Sequence, residues 1–316
     1  MHAPWSRFAA TLLTTVLVSC GGGGQSAATP TATTPTVTPA ATPGPVSASV
    51  GLVAGVTTDD PTVRTAEQVD ALASLPRRVM ARVTLDVGTP VASYVASVAD
   101  IAKVADVMAE PLDSSAMSGI SAVAARARID QLMGALGNTV SVWEVGNEIN
   151  GDWVGADAMA KVEAMYDAAR SAGRRTALTL YYENPASPGF DMLPWVDAHM
   201  PQGHRMRAGL DFVFVSYYED QNAGHRLTQA ELDTIFDGLA RRFPNAKVGF
   251  GEFGWGKSIP SSDSTRAELI RRFYGYRLPS VPSYIVGGFY WHFRQTMSPR
   301  TRPDWAVLSD AVGSFP

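Results

Sequence analysis

Two glutamates stand at the ends of apolar, β-branched segments, an arrangement suited to chemistry that needs paired carboxyl groups. Glu148 closes the segment Val142-Trp-Glu-Val-Gly-Asn147-Glu148, and Glu252 follows Val248-Gly-Phe-Gly. In the retaining cleavage of a glycosidic bond, one carboxyl protonates the leaving oxygen while the other attacks the anomeric carbon, and the two lie about 5–5.5 Å apart. The alternative is that both are ordinary surface carboxylates held in ion pairs. Which of these two interpretations applies depends on whether the fold brings the two carboxyls close together.

The segments that carry these glutamates belong to a regular alternation of short β-branched stretches and longer amphipathic ones, which is typical of a parallel sheet wound with helices. Eight strands are predicted, at Val50–Val56, Arg78–Val87, Val104–Ala109, Val140–Val145, Ala177–Tyr182, Phe212–Tyr217, Lys247–Gly251 and Tyr284–Tyr290. Helices are predicted at Thr65–Ser74, Ile120–Leu136, Ala156–Ala172, Thr228–Phe243 and Ser264–Tyr274. The alternation over residues 47–316 predicts an α/β fold, a single-domain (β/α)8 TIM barrel.

In such a barrel the active site lies at the carboxyl ends of the strands. By this count Glu148 and Glu252 end the fourth and seventh strands, which face each other across the barrel, so their carboxyls are expected to converge over its mouth. Other acids, amides and aromatic residues follow several of the remaining strands. The sequence therefore predicts an active site at this rim.

An Asn-Glu pair after the fourth strand and a glutamate after the seventh resemble the clan A glycoside hydrolases, barrel enzymes that retain anomeric configuration. The resemblance implies that Glu148 is the acid/base and Glu252 the nucleophile. It also implies that Asn147 binds the 2-hydroxyl of the sugar and that Tyr218 donates a hydrogen bond to the nucleophile. Trp291 matches the tryptophan beneath the sugar nearest the cleaved bond, although it could instead pack in the core.

Five further residues are expected to bind substrate or to support the site: Arg82, Glu110, Trp153, Tyr217 and Trp255. Arg82 matches an arginine found near the nucleophile and could neutralise a buried carboxylate, contact substrate, or do both. The two tryptophans could stack on the apolar face of a sugar or only cover a loop.

Two short motifs point to different families within the clan. Ser216-Tyr-Tyr218 is similar to the β-1,4-galactanases, whereas Glu252-Phe-Gly-Trp255 is similar to the β-1,3-glucanases. Other members carry a histidine at the position of Ser216. The motifs therefore leave the sugar open.

The N-terminal residues suggest export. Residues 1–20 contain one arginine, an apolar run too short to span a bilayer, and Leu17-Val18-Ser19-Cys20, which resembles a bacterial lipobox. We expect lipidation at Cys20, the single cysteine, and anchoring in the cell envelope, in the outer membrane of a didermic cell. An ordinary signal peptide that happens to contain a cysteine is the alternative. Residues 21–46, rich in Gly, Ala, Thr and Pro, are expected to form a disordered linker.

Composition argues against several other functions. The net charge of −4 and the absence of a basic stripe make nucleic acid an unexpected partner. The five histidines show no metal-ligand spacing, and no phosphate-binding loop or dinucleotide fingerprint follows a strand, so no metal or other cofactor is expected. We expect a monomer whose substrate is a polysaccharide or oligosaccharide.

Two hypotheses follow. The first is a retaining glycoside hydrolase that cleaves β-linked polysaccharide or oligosaccharide by double displacement. The second is a surface lipoprotein that uses a catalytically weak, glycosidase-like barrel to bind carbohydrate or to help assemble exopolysaccharide. A carboxyl separation near 5.5 Å favours the enzyme, and one beyond about 10 Å favours the binding module.

Overall fold

The computed structural model of the chain describes residues 54–183, 191–285 and 287–315. The expected signal segment, Cys20 and the linker 21–46 lie outside these residues. Within the described ranges, no helix is both long enough and apolar enough to cross a membrane.

Eight parallel strands form one closed sheet in which each strand pairs with the next and the last pairs with the first. The strands are β1 (Gly55–Thr58), β2 (Met80–Thr84), β3 (Asp106–Glu110), β4 (Val142–Gly146), β5 (Thr176–Tyr181), β6 (Phe212–Tyr217), β7 (Lys247–Phe253) and β8 (Phe289–Tyr290). Helices lie between them, so the predicted (β/α)8 barrel is confirmed.

The described residues include five helices that overlap the predicted ones: α1 (Thr65–Ala73), α4 (Ala122–Leu136), α5 (Ala158–Ser171), α8 (Gln229–Arg242) and α9 (Asp263–Gly275). Five further helices were not predicted: α2 (Tyr94–Val104), α3 (Ser114–Met117), α6 (Met192–His199), α7 (Arg205–Gly209) and α10 (Pro303–Gly313). The start of α8 follows its sequence signature, because Thr228 and Glu231 form a reciprocal capping box.

The last strand is shorter than predicted. The sequence predicted Tyr284–Tyr290, but β8 contains only two residues, and Tyr284 makes an isolated bridge to Val248. Gly287 has a φ of 84°, a left-handed conformation that does not continue a strand. The first strand also differs, since β1 ends at Thr58 and the predicted residues 50–53 lie outside the described ranges.

The barrel interior is built in layers by the alternation of side chains along each strand. One layer is apolar and consists of Met80, Met108, Val142, Ala177, Phe212, Phe214, Ile285 and Phe289. Two residues further along β2, β3 and β4 come Arg82, Glu110 and Glu144, which are all buried. A layer of buried charge therefore lies between this apolar layer and the carboxyl-terminal rim.

Candidate active site

Glu148 and Glu252 meet over the barrel mouth. The hydroxyl oxygen of Ser216, on β6, lies 2.5 Å from Oε1 of Glu148 and 3.4 Å from Oε2 of Glu252. These two carboxyl oxygens are consequently at most about 6 Å apart. Both carboxyls therefore neighbour the same small hydroxyl group.

The backbone at both glutamates departs from regular strand geometry. Glu148 has a φ of 46°, in the left-handed region that disfavours a residue with a Cβ. The register of β6 against β7 shifts beside Ser216, so that this residue pairs with Glu252 although Val215 pairs with Phe250. Irregular backbone of this kind redirects side chains and is common at functional sites.

Among the residues that the structure describes, the Glu148 carboxyl receives only neutral donors. Ser216 donates to Oε1 and Ser114 donates to Oε2 at 3.1 Å. Burial, followed by the nearby charge of Glu252, raises the pKa of Glu148 to about 8, although the two hydroxyls oppose that rise. Glu148 is therefore the carboxyl that keeps its proton at neutral pH.

The Glu252 carboxyl, in contrast, receives a cation and three neutral donors, one of which is the Ser216 hydroxyl at 3.4 Å. Arg82 Nη1 lies 2.7 Å and Asn147 Nδ2 3.1 Å from its Oε1, and the Tyr218 hydroxyl donates to Oε2 at 2.9 Å. Burial raises the pKa of Glu252, and Arg82 opposes the rise. Since Glu252 has the cation and Glu148 does not, Glu252 is the one that ionises when the two share a single proton.

The start of helix α3 orients both Asn147 and Glu148, the two residues that follow β4. The backbone N–H of Ser114 donates to Oδ1 of Asn147 at 3.1 Å, which leaves the amide nitrogen of Asn147 to face Glu252. Asp113 caps α3 by accepting from the N–H of Ser115, and this fixes the turn after β3. Residues after the third strand thus hold the Asn-Glu pair of the fourth.

Arg82 occupies the layer beneath the two glutamates. It binds Glu144 through Nε at 2.6 Å and Nη2 at 3.1 Å, and Glu110 lies 3.1 Å from Nη2. The guanidinium also lies 5.6 Å from the ring centroid of Trp291, so the tryptophan covers the arginine at the edge of the site.

Two further tryptophans, Trp255 and Trp153, follow β7 and β4. Trp255 is half-buried and stacks on His292, whose Nε2 lies 3.0 Å from the Trp255 carbonyl oxygen and 3.2 Å from its N–H. Burial lowers the pKa of His292, so a neutral imidazole holds this tryptophan. Trp153 is 39% exposed and meets the ring of Tyr181 edge-on at 5.2 Å.

Two of the predicted residues occupy other positions than expected. Tyr217 points away from the carboxyls, because alternate strand residues face opposite sides of the sheet; its hydroxyl donates to the His225 carbonyl at 3.0 Å. Glu110 is not a rim acid but lies fully buried beneath the site, where Thr84 donates to it at 2.8 Å.

Four residues of the site were not predicted: Ser114, Glu144, Tyr181 and Ser216. Ser216 was noticed only as a departure from the histidine of related enzymes. Glu144 lies two residues beyond Val142, on the same face of β4. The described residues contain no cluster of His, Cys, Asp and Glu that could hold a metal ion.

Known structures share this fold at low sequence identity. The family 1 β-glucosidase from Thermotoga maritima with isofagomine lactam superposes with a TM-score of 0.53 at 13% identity, over 78% of this chain and 89% of that one. A GH5 cellulase from an Icelandic hot spring isolate gives 0.52 at 12% identity, over 84% and 89% of the chains. A glucosidase from Croceicoccus marinus gives 0.51 at 13% identity, over 83% and 67%.

At such identities the likeness extends to the fold alone. No protein-family model matches the sequence. No curated protein sequence matches it either.

Proposed function

We propose that the protein is a retaining glycoside hydrolase in which Glu148 is the acid/base and Glu252 the nucleophile. The observation that carries the proposal is that one Ser216 hydroxyl contacts an oxygen of each carboxyl, so that these two oxygens lie no more than about 6 Å apart. An inverting enzyme needs a wider gap of about 6.5–9.5 Å to admit water between its carboxyls. Structural likeness to a β-glucosidase and a cellulase supports a sugar substrate.

The different surroundings of the two carboxyls support their roles. Glu252 is ionised beside Arg82 and can attack the anomeric carbon, and the hydrogen bond from Tyr218 orients its attacking oxygen. Glu148 is protonated and can donate to the oxygen that leaves. A pair of carboxyls with separated pKa values is the usual basis for dividing acid and nucleophile in such enzymes.

In the first step, a Glu252 oxygen forms a bond to the anomeric carbon, the bond to the leaving oxygen breaks, and that oxygen takes the proton of Glu148. In the second step, Glu148, now ionised, removes a proton from water as the water oxygen attacks the anomeric carbon. The ester bond to Glu252 breaks and both carboxyls regain their first state. Asn147 is placed to bind the 2-hydroxyl, beside the nucleophile.

The substrate class follows from the aromatic residues near the carboxyls. Trp291 and Trp255 lie on the side of Glu252 and Arg82, whereas Trp153 and Tyr181 lie on the side of Glu148. Rings on both sides suit sugars on both sides of the cleaved bond, as in a β-linked oligosaccharide or polysaccharide.

We include in this proposal that the protein is exported and lipidated at Cys20, which a Cys20→Ala variant tests through loss of membrane association.

Activated aryl glycosides test the two roles separately. In Glu148→Ala, a phenolate leaving group needs no proton, so Glu252 should still be glycosylated, and added azide should speed release with retained configuration. In Glu252→Ala, no covalent intermediate forms, and azide should restore turnover with inverted configuration.

The same assays contain the outcomes that contradict the proposal. Inverted product from the wild-type protein, or identical behaviour of the two variants, would exclude this assignment of roles. If a broad panel of polysaccharides and aryl glycosides is bound but not cleaved, the carbohydrate-binding hypothesis replaces the enzymatic one. Mass spectrometry of the trapped glycosyl-protein identifies the nucleophile directly.

A further inference from the structure

Beneath the two proposed catalytic residues lie two more acids that take no part in double displacement. Glu110 on β3 is 0% exposed and Glu144 on β4 is 1% exposed. Both contact Arg82, which also binds Glu252. Among the described residues, Arg82 is the only cation bonded to these three carboxyls. One positive charge cannot offset three buried negative charges, so at least one of these acids must be neutral.

The geometry distinguishes the two acids. Arg82 makes two hydrogen bonds to Glu144 and one to Glu252. Its contact with Glu110, although 3.1 Å long, lacks the alignment of a hydrogen bond, and Oε1 of Glu110 has no hydrogen-bond partner. The other oxygen of Glu110 lies 2.8 Å from the Thr84 hydroxyl, which can accept a hydrogen bond from a neutral acid as well as donate one to an ionised acid.

We propose that Glu144 is a positioning residue for the nucleophile, because as the ionised partner of Arg82 it fixes the guanidinium beneath Glu252, while Glu110 is held as a neutral acid. This inference rests on the proposed function of Glu252. Glu144 then has two effects: it sets the orientation of Arg82, and its negative charge partly offsets the attraction between Arg82 and Glu252. Arg82 therefore lies close enough to Glu252 to favour its ionisation. The pairing of Arg82 with Glu144 keeps the ion pair with Glu252 weak enough for a Glu252 oxygen to attack.

The electrostatics agree with this division. Burial raises the pKa of Glu110 well above its usual range; Arg82 opposes the rise and Glu144 adds to it. For Glu252, burial raises the pKa, Arg82 lowers it, and the charges of Asp113 and Glu144 raise it further. The ionisable groups that face the cluster from the surrounding elements are Arg82, Glu110, Asp113, Glu144, Glu148, Tyr218 and Glu252.

Two isosteric variants, Glu144→Gln and Glu110→Gln, form a matched pair because each removes one buried acid beside Arg82. The first measurement is the acid limb of kcat/KM against pH with an activated aryl glycoside, which reports Glu252. In Glu144→Gln this limb should move about one pH unit lower and the plateau should fall by up to about tenfold, because Arg82 then acts on Glu252 alone. In Glu110→Gln the limb should stay in place.

The second measurement is the thermal midpoint at pH values near 5 and 8, which needs no activity. An acid whose folded pKa is raised destabilises the fold increasingly as pH rises above its unfolded pKa. The thermal midpoint of Glu110→Gln, measured relative to that of wild type, should therefore be higher at pH 8 than at pH 5. The thermal midpoint of Glu144→Gln should lie several degrees below that of wild type near pH 8. Because this arm does not depend on catalysis, it separates failure of the inference from failure of the proposed function.

Several results would overturn the inference. A Glu110→Gln variant that loses stability as pH rises, or moves the acid limb as far as Glu144→Gln does, would mean that Glu110 is the ionised partner. A Glu144→Gln variant with an unmoved acid limb would make Glu144 merely structural. If Glu144→Gln does not fold, Glu144→Asp keeps the charge but withdraws it from Arg82. Its kcat/KM should fall and its acid limb should move less than the one pH unit or so expected for Glu144→Gln. An unchanged kcat/KM would refute the positioning role.

Discussion

Replacing Ser216 by alanine should raise the pKa of Glu148. The change removes one buried hydroxyl that lies 2.5 Å from Oε1 of Glu148 and 3.4 Å from Oε2 of Glu252. It leaves the backbone pairing of β6 intact and creates only a small cavity. Because the hydroxyl donates to the ionised carboxyl, its loss disfavours ionisation.

The size of the shift follows from the hydrogen bond. A hydrogen bond to a charged group contributes about 1.5–3 kcal/mol, and one pKa unit corresponds to about 1.4 kcal/mol. The serine hydroxyl can also accept a hydrogen bond from the neutral acid, so only part of that energy distinguishes the two protonation states. We expect the pKa of Glu148 to rise from about 8 by roughly one unit. The longer contact predicts a smaller change at Glu252.

Carbon-13 NMR of labelled glutamate carboxyls measures this without a substrate, and Glu148→Gln assigns the signal. Ser114→Ala removes the other hydroxyl donor, at 3.1 Å, and should shift the same titration upward by a smaller amount. Ser97→Ala, which deletes a buried hydroxyl on α2, should leave it unchanged. A Glu148 titration that stays in place or moves to lower pH in Ser216→Ala would refute the reasoning.

Three further changes test other parts of the site. Arg82→Met should destabilise the fold by about 3–5 kcal/mol near pH 7 and by less near pH 5, where the stranded acids can take up protons; equal losses in urea denaturation at both pH values would contradict this. Glu148→Gly should be more stable than Glu148→Ala by about 1 kcal/mol, because glycine adopts a φ of 46° without strain. Equal free energies of unfolding of the two variants in chemical denaturation would show that this strain is absent. Tyr217→Phe should cost about 1 kcal/mol of stability and leave kcat/KM unchanged, whereas Tyr218→Phe should lower kcat/KM; the reverse pattern would exchange their roles.

The barrel was predictable because its strands and helices have different periods and lengths. Strand β6 matches its predicted bounds, since Phe212–Tyr217 begins directly after Asp211 and is rich in aromatic and β-branched residues. The edges of β8 were not predictable from β-branched content, because Gly287 ends regular strand geometry within the run. The two glutamates could be singled out because each follows a predicted strand, and position at a strand end is visible in sequence.

Glu144, in the layer beneath them, was not predicted, for a physical reason. Strands of a parallel barrel are buried on both faces, by the interior on one side and the helices on the other. In β4, Trp143 and Val145 pack in the core that includes the helices, while Val142 lies in the interior layer. Both faces therefore appear apolar, and the alternation that places Glu144 inward is hidden. Ser114 was missed for another reason: its contacts join residues 33 and 34 positions apart in sequence.

The distribution of unfavourable features within the barrel is itself informative. An interior can be filled by apolar side chains alone, as the layer around Met108 and Phe214 demonstrates. One layer above it, the chain instead buries Arg82 with three acids, and it holds Glu148 at a positive φ. Each of these choices lowers stability relative to an apolar, unstrained alternative. Their concentration around two converging carboxyls is understandable if the charged layer serves to set which carboxyl is ionised, a requirement of catalysis rather than of folding.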